Sequence, residues 1–389
     1  MADARASESE LNQVQNIAQL IALGDRYLEP MASAYFAGAA RDAITLAANR
    51  RAFEKTLLRP RCLRGVGQRS QACGLLGQTL PSPFLLAPTA FLGLAHPEGE
   101  RATARAARAS GAPMICSTLA TTPIEAVCAA AGVGAADAPG TVWFQLYVYK
   151  DRELTGALVD RAKAAGCSAL VLTADAPVLG AREGDAVHRF GLPAGLRVEN
   201  VVPEGYGALP SEARGSGLAA YVYRLLDPDL RLDDIGWLAE RSGLPVFVKG
   251  VLRGDDAAAC LDAGAGGLIV SNHGGRQLDG ALPSLLALPE VVEAAAGRAP
   301  VLLDSGLRRG SDALKALALG AAAVMIGRPA VFALAAGGEA GVSRALALLR
   351  AELDEALALV GCTSLAALHP GLLAPLPPAW ACVESPTAR

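Results

Sequence analysis

The residues best placed for chemistry are Ser271-Asn272-His273-Gly274-Gly275-Arg276, a histidine set between polar residues and glycines directly after an apolar run. Histidine is the usual proton acceptor near neutral pH. A histidine that merely packs is the alternative, but it gives no reason for the flanking glycines or for Arg276 so close by. His96, His188 and His369 lack such company and read as structural or solvent-exposed. Arg182 and Arg276 each lie shortly beyond an apolar run, and two guanidinium forks facing one cavity suit a carboxylate. Two surface ion pairs are the bland alternative. Lys249, one of five lysines in the chain, ends Pro-Val-Phe-Val-Lys-Gly. A lysine there either has a chemical partner or snorkels to water. Asp304-Ser305-Gly306-Leu307-Arg308-Arg309-Gly310 and Gly327-Arg328-Pro329 combine glycine amides with arginines ahead of helix starts, a pattern suited to phosphate. Tight turns alone would explain the glycines but not the arginines. Together these residues point to a phosphate-bearing cofactor and a carboxylate-bearing substrate.

The elements that must position them are short apolar runs. Phe84–Pro88, Pro113–Ser117, Thr141–Tyr147 and Ala169–Asp175 are followed by Pro245–Gly250, Gly267–Asn272, Pro300–Ser305 and Ala323–Arg328. Alanine-rich stretches of helical period follow most of them, including 98–110, 152–165, 255–263 and 311–319. Pro97 and Pro329 sit where a first helical turn starts, and Gly111, Gly166, Gly264 and Gly320 where one stops. Strands apolar on both faces that alternate with helices imply a parallel sheet, and eight such units close a (β/α)8 TIM barrel. A doubly wound open sheet is the alternative, against which stands the lack of GxGxxG after the first strand. A single domain is expected, with the barrel core at about 84–360 and N-terminal helices over 11–59 capping one end. After the fourth strand comes a long loop, about 176–232, ahead of a helix over 233–242. Loops of that size are usually lids or binding segments. The stretch 331–360 continues as long helices, and the Pro-rich tail from Pro370 reads as loosely ordered.

Composition narrows the partners. Net charge is only -3 with no clustered Lys and Arg, which argues against nucleic acid. No apolar run is long enough to read as a membrane span. Met1 to Gln13 is acidic and polar, unlike a secretory signal, so secretion is not expected, and the stretch 183–249 carries no added apolar segment, so a cytoplasmic protein is expected. The eight cysteines are scattered without a CxxC pair or zinc-like histidine spacing, so they read as reduced packing residues and no metal is expected.

Several motifs in order resemble the FMN-dependent L-2-hydroxy acid oxidase and dehydrogenase family, over roughly residues 34–336. The most specific is Ser271-Asn272-His273-Gly274-Gly275-Arg276-Gln277-Leu278-Asp279. Supporting pieces are Ala87-Pro88-Thr89-Ala90, His96-Pro97-Glu98-Gly99-Glu100, Phe144-Gln145-Leu146-Tyr147, Leu172-Thr173-Ala174-Asp175, Leu179-Gly180-Ala181-Arg182-Glu183 and Leu307-Arg308-Arg309-Gly310. The resemblance implies FMN as cofactor, with His273 as catalytic base and Asp175 holding it. It implies that Tyr35, Arg182 and Arg276 hold the substrate carboxylate and that Tyr147 hydrogen-bonds the substrate hydroxyl. It places Pro88, Thr89, Ala90, Ser117, Gln145, Thr173, Lys249 and Ser271 around the flavin ring. Asp304 falls at the ribityl chain, and Ser305, Gly306, Arg308, Gly327 and Arg328 at or beside the phosphate. A homotetramer is usual for the family.

Two departures matter. Ser305 replaces a glycine often found there, which bears on the local turn. Leu119 stands where glycolate oxidases have tryptophan, so a roomier side-chain pocket is expected, unless Leu192, Val201 or Tyr206 refills it. Ala90 resembles the residue common in oxidases, so O2 is the expected acceptor; a dehydrogenase passing electrons to a quinone or carrier is the alternative. An FMN-barrel isomerase or a lapsed flavin-binding protein fits less well with His273, Arg276, Arg182 and Tyr147 all present.

Overall fold

The computed structural model describes residues 5–375 apart from 138, 202–208 and 210–215, together with 377. Eight parallel strands close into a barrel: β1 (Phe84–Leu86), β2 (Met114–Ser117), β3 (Val142–Leu146), β4 (Leu170–Thr173), β5 (Val246–Val251), β6 (Gly267–Val270), β7 (Val301–Leu303) and β8 (Ala323–Ile326). Val324 of β8 pairs with Phe84 of β1, and this closure rules out the open sheet. The outer helices are α1 (Gly99–Ser110), α2 (Ile124–Ala131), α3 (Arg152–Ala164), α4 (Asp233–Ser242), α5 (Gly254–Asp262), α6 (Ser284–Ala295), α7 (Gly310–Ala318) and α8 (Arg328–Val360).

Side chains alternate across a strand, so each strand carries two apolar rows. Leu85, Ile115, Trp143, Val171, Phe247, Ile269, Leu302 and Met325 pack together inside the barrel. Their neighbours, such as Phe84, Cys116, Phe144, Leu172 and Val248, face the helices and join the larger core. Gly267 is required by the inner row, since a Cβ there would fall 2.1 Å from the Phe247 ring. A hairpin of Cys73–Leu75 and Gln78–Leu80 adds Leu75 and Leu80 to the inner cluster. It plugs the N-terminal end of the barrel, where Thr141, just ahead of β3, donates to Gln78.

The N-terminal helices are Glu8–Gln13, Ile17–Asp25, Pro30–Ala37 and Ile44–Lys55. α8 is broken at Gly337 and Gly338, which leave helical geometry. By length and composition α8 is apolar enough to cross a bilayer, but 67% of its most apolar window is buried in the protein, as expected of a packing helix.

Two expectations need correction. The start of the tail is ordered: Leu373–Pro375 forms an antiparallel pair with Thr56–Leu58, because this segment can complete the ladder of an otherwise unpaired strand. The loop after β4 is not structureless either. It contains the helices Glu183–Val187 and Gly217–Leu225, the second with Leu218, Tyr221 and Val222 buried.

Candidate active site

The inward apolar row of the barrel continues one step toward the C-terminal end as polar residues. Two positions beyond Ile115, Trp143, Val171, Phe247, Ile269 and Leu302 stand Ser117, Gln145, Thr173, Lys249, Ser271 and Asp304, all buried. They satisfy one another. Ser117 donates to Gln145 Oε1 at 3.0 Å, and Gln145 Nε2 donates to Thr173 at 2.9 Å. Lys249 Nζ donates to Ser271 at 2.8 Å and lies 3.3 Å from Asp304 Oδ2. Burial works against the lysine charge, but Asp304 and Asp175 outweigh it and hold the ammonium above the usual lysine range. Ser305 takes up a left-handed φ of 74° where glycine would be free of strain. Its hydroxyl compensates by donating to Asp304 Oδ1 at 2.7 Å and accepting from Gly274 N at 3.0 Å.

Above this floor, His273 Nδ1 meets Asp175 Oδ1 at 2.9 Å, which leaves Nε2 as the ring nitrogen not engaged by Asp175. His273 is itself left-handed, φ 58°, a conformation held here by its amide donating to Ser271 Oγ at 3.0 Å. Room for Asp175 comes from Gly250, φ 111°, where a Cβ would lie 2.5 Å from that side chain. Burial pushes the imidazole below its ordinary value; Asp175 favours the charged form, as expected of a neighbouring carboxylate, and Lys249 opposes it. Burial would raise Asp175, but His273 and Lys249 outweigh it and its carboxyl stays below the usual range. Both directions favour a neutral imidazole beside a carboxylate.

Arg276 and Arg182 face the same cavity. Arg276 donates to the carbonyls of Tyr35 at 2.6 Å and Gly38 at 2.9 Å, and its guanidinium lies 4.8 Å from the Tyr35 ring centre. Burial, reinforced by Arg182, pulls Arg276 down to about 10. Arg182 makes two long contacts, 3.3 Å to Arg276 O and 3.4 Å to Gln277 Oε1. Tyr147 lines the cavity, and burial, then Asp175, raises its hydroxyl above the ordinary phenol value, so it remains a donor.

At the other end, Arg308 and Arg328 are half-buried cations. Burial, with Arg50, takes Arg308 down to about 10, and burial with Arg276 takes Arg328 well below its ordinary value. Among the described residues their guanidiniums bond to backbone carbonyls, those of Leu307 for Arg308 and of Phe36, Gly38 and Gly274 for Arg328. Two desolvated cations without a bonded carboxylate fit a phosphate.

A profile of the FMN-dependent dehydrogenase family matches residues 24–375, beyond both ends of the motif-bearing stretch. The chain belongs to this family. It is 51% identical to the L-lactate oxidase of Nostoc sp., over 90% of this chain and 95% of that protein. It is 47% identical to the glycolate oxidase of Spinacia oleracea, over 91% and 94%. Among solved structures, a mandelate oxidase with (S)-4-hydroxymandelic acid superposes with a TM-score of 0.86 at 38% identity, covering 93% of this chain and 98% of that one. As a member of the FMN-dependent dehydrogenases, the chain is a flavoenzyme of 2-hydroxy acid oxidation with FMN as cofactor. The half-buried arginine pair suits the FMN phosphate, and the polar floor with Lys249 suits the flavin ring.

Against this family membership, the residues singled out from the sequence converge closely. Tyr35, Pro88, Thr89, Ala90, Ser117, Leu119, Gln145, Tyr147, Thr173 and Arg182 line one cavity. So do Lys249, His273, Arg276, Asp304, Ser305, Gly306, Arg308, Gly327 and Arg328. Asp175 and Ser271 stand behind it, bonded to His273 and Lys249. Of the candidates for refilling the space near Leu119, Leu192 and Val201 pack into the core away from the cavity, and Tyr206 lies outside the described residues. Leu218, Val222 and Leu226 line it instead; their spacing of four was a helix signal inside the stretch read as loop. Gln277 also went unnoticed: it donates to the carbonyls of Asp175 and Val178 at 2.9 Å each and accepts from Gly180 N at 3.0 Å, latching the two active-site loops together. Asp279, part of the signature, accepts from the amides of Asp42, Ile44 and Thr45 and so caps the helix that follows Tyr35.

Proposed function

We propose that the protein oxidises an L-2-hydroxy acid to the 2-keto acid and passes the two electrons to O2, forming hydrogen peroxide. The observation that carries this reading is His273, fixed by Asp175 Oδ1 at 2.9 Å, in one cavity with the guanidiniums of Arg182 and Arg276. Bound FMN supplies the two-electron acceptor. Arg276, Arg182 and Tyr35 hold the substrate carboxylate, which orients the C2 hydrogen and hydroxyl. His273 takes up at Nε2 the proton that leaves as C2 becomes a carbonyl, and Asp175 stabilises the imidazolium that results. Tyr147, kept protonated by burial, donates to the substrate hydroxyl oxygen as negative charge develops there. Lys249 places a fixed positive charge at the barrel floor, which would favour a bound flavin's reduced, more negative state. Thr89, Ala90, Ser117, Gln145, Thr173 and Ser271 would hold the flavin ring, Asp304 the ribityl chain, and Gly306, Arg308, Gly327 and Arg328 the phosphate.

The favoured substrates carry a medium-chain or aromatic group, as in 2-hydroxyoctanoate or mandelate. The support is an apolar wall of Leu119, Leu179, Leu218, Val222 and Leu226, with leucine rather than a large aromatic at 119. The enzyme works as a homotetramer, a reading that rests on family resemblance and is checked by light scattering at four times the chain mass, and in the cytoplasm, a reading that rests on the stretch 183–249 carrying no added apolar segment.

One experiment tests the core of the proposal. Anaerobic addition of L-2-hydroxyoctanoate bleaches the flavin bands, and admitted air restores them with one peroxide formed per keto acid. Bleaching reversed by a quinone but not by air would make the protein a dehydrogenase. No bleaching with any L-2-hydroxy acid would remove the activity altogether.

A further inference from the structure

Asp185 lies in the first turn of the short helix Glu183–Val187, three residues past Arg182, and is 2% exposed. Both of its carboxylate oxygens are buried without a hydrogen-bond partner among the described residues. Its nearest cation is Arg182, whose Nη1 stands 4.0 Å from Oδ2, just beyond hydrogen-bond reach. Among the described residues, Arg276 and Tyr35 are the other charged or titratable groups that act on it. Burial is the largest influence on its carboxyl and raises it, while the two arginines pull it back. A carboxylate so placed is costly unless it serves neighbouring charge.

That neighbouring charge is unusual. Arg182 is buried and Arg276 half-buried, they repel one another, and their bonded partners are a side-chain amide and backbone carbonyls. A cavity that sets two positive charges side by side would grip any small carboxylate. Substrate and keto acid product carry the same carboxylate, so such a grip strengthens the binding of both and gains nothing in turnover.

We infer that Asp185 is the internal counter-ion of the carboxylate clamp, sharing the Arg182 guanidinium with the bound ligand and so weakening retention of the product. The inference rests on Arg182 and Arg276 forming that clamp. Asp185 touches no reacting atom; it is a positioning residue acting through Arg182. Its sign is unlike that of a structural brace. Loss of a brace loosens ligand binding, whereas loss of a counter-ion leaves the clamp more positive and tightens it.

The test uses the FMN-loaded enzyme and oxalate as a non-reacting carboxylate probe, followed by the perturbation of the flavin spectrum. Asp185→Asn and the smaller Asp185→Ser are expected to lower the oxalate Kd about tenfold, equivalent to about 1.4 kcal/mol. KM for the hydroxy acid should fall with it, and kcat should fall where product release limits turnover. Asp185→Glu, which keeps the charge, should stay near the wild-type Kd. Unchanged or weaker oxalate binding in the Asn and Ser variants would overturn the inference, as would failure of both to fold and take up FMN, since Asp185 would then be a brace. If the wild type itself did not bind oxalate, or bound it equally well as Arg276→Lys, the clamp reading would fail first.

Discussion

The floor and the rim of the active site are built by different means. The floor residues, Ser117, Gln145, Thr173, Lys249, Ser271 and Asp304, sit at barrel strands or directly beyond their ends and bond chiefly to one another. The rim residues, Tyr35, Arg182, His273 and Arg276, come from a helix and two loops; the two arginines are tied through backbone carbonyls and Gln277, and His273 through Asp175 and Ser271. The floor is locked by the closed β-ladder, where a side chain can move only by breaking a buried partner. The rim depends on how separate chain segments lean together. One arrangement suits a cofactor whose shape never changes, the other a substrate whose side chain varies.

That contrast can be broken at its strongest point. His273→Gln should lower kcat on the order of a thousandfold while FMN content stays at the wild-type level. Near-normal turnover would place the base elsewhere, and loss of FMN would show that the rim also holds the cofactor. A floor residue should behave in the opposite way. Lys249→Met leaves Asp304 buried without its cation and should cost about 3 kcal/mol of stability, seen in denaturant unfolding together with weaker FMN retention. An unaltered unfolding midpoint would mean that the floor is less tightly coupled than its hydrogen bonds imply.

Next in size is Arg276→Lys, where an ammonium cannot supply the planar fork. A loss of kcat/KM on the order of a hundredfold is expected, with FMN content intact. Leu119→Trp should fill the side-chain space and move preference toward glycolate by about tenfold relative to 2-hydroxyoctanoate, since each buried methylene is worth about 0.8 kcal/mol. A wild type that already prefers glycolate, or an unchanged order in the variant, would remove Leu119 from specificity. The smallest effect is on pH. The base is the deprotonated imidazole, and burial lowers its folded-state pKa below 6.5. The acid limb of kcat/KM should therefore lie below that value, and Asp175→Asn, which removes a group that raises His273, should move it lower still. A limb above 6.5 would contradict the neutral resting imidazole.

Much of the floor was legible in the chain before any coordinates. Ser117, Lys249, Ser271 and Asp304 follow apolar runs, and in a barrel the residue two beyond an inward apolar position also points inward. The rim was legible in identity but not in its supports. Gln277 as a latch and Asp279 as a cap join parts of the chain that no local pattern relates. The same holds for Asn49 and Asn272, which exchange amide hydrogen bonds at 2.9 Å and 2.7 Å across more than two hundred residues.

The local alternation of apolar and polar residues, read through the period of two in strands and 3.6 in helices, is a property of the sequence alone. It determined the eight strands, most helices and the set of polar residues available to a site. Electrostatics was decided elsewhere. Whether His273 rests neutral, whether Lys249 keeps its charge and whether Asp185 sits beside two arginines depend on burial and on distances between loops. Those distances exist only once the barrel has closed, because desolvation and Coulomb attraction act through space and not along the chain.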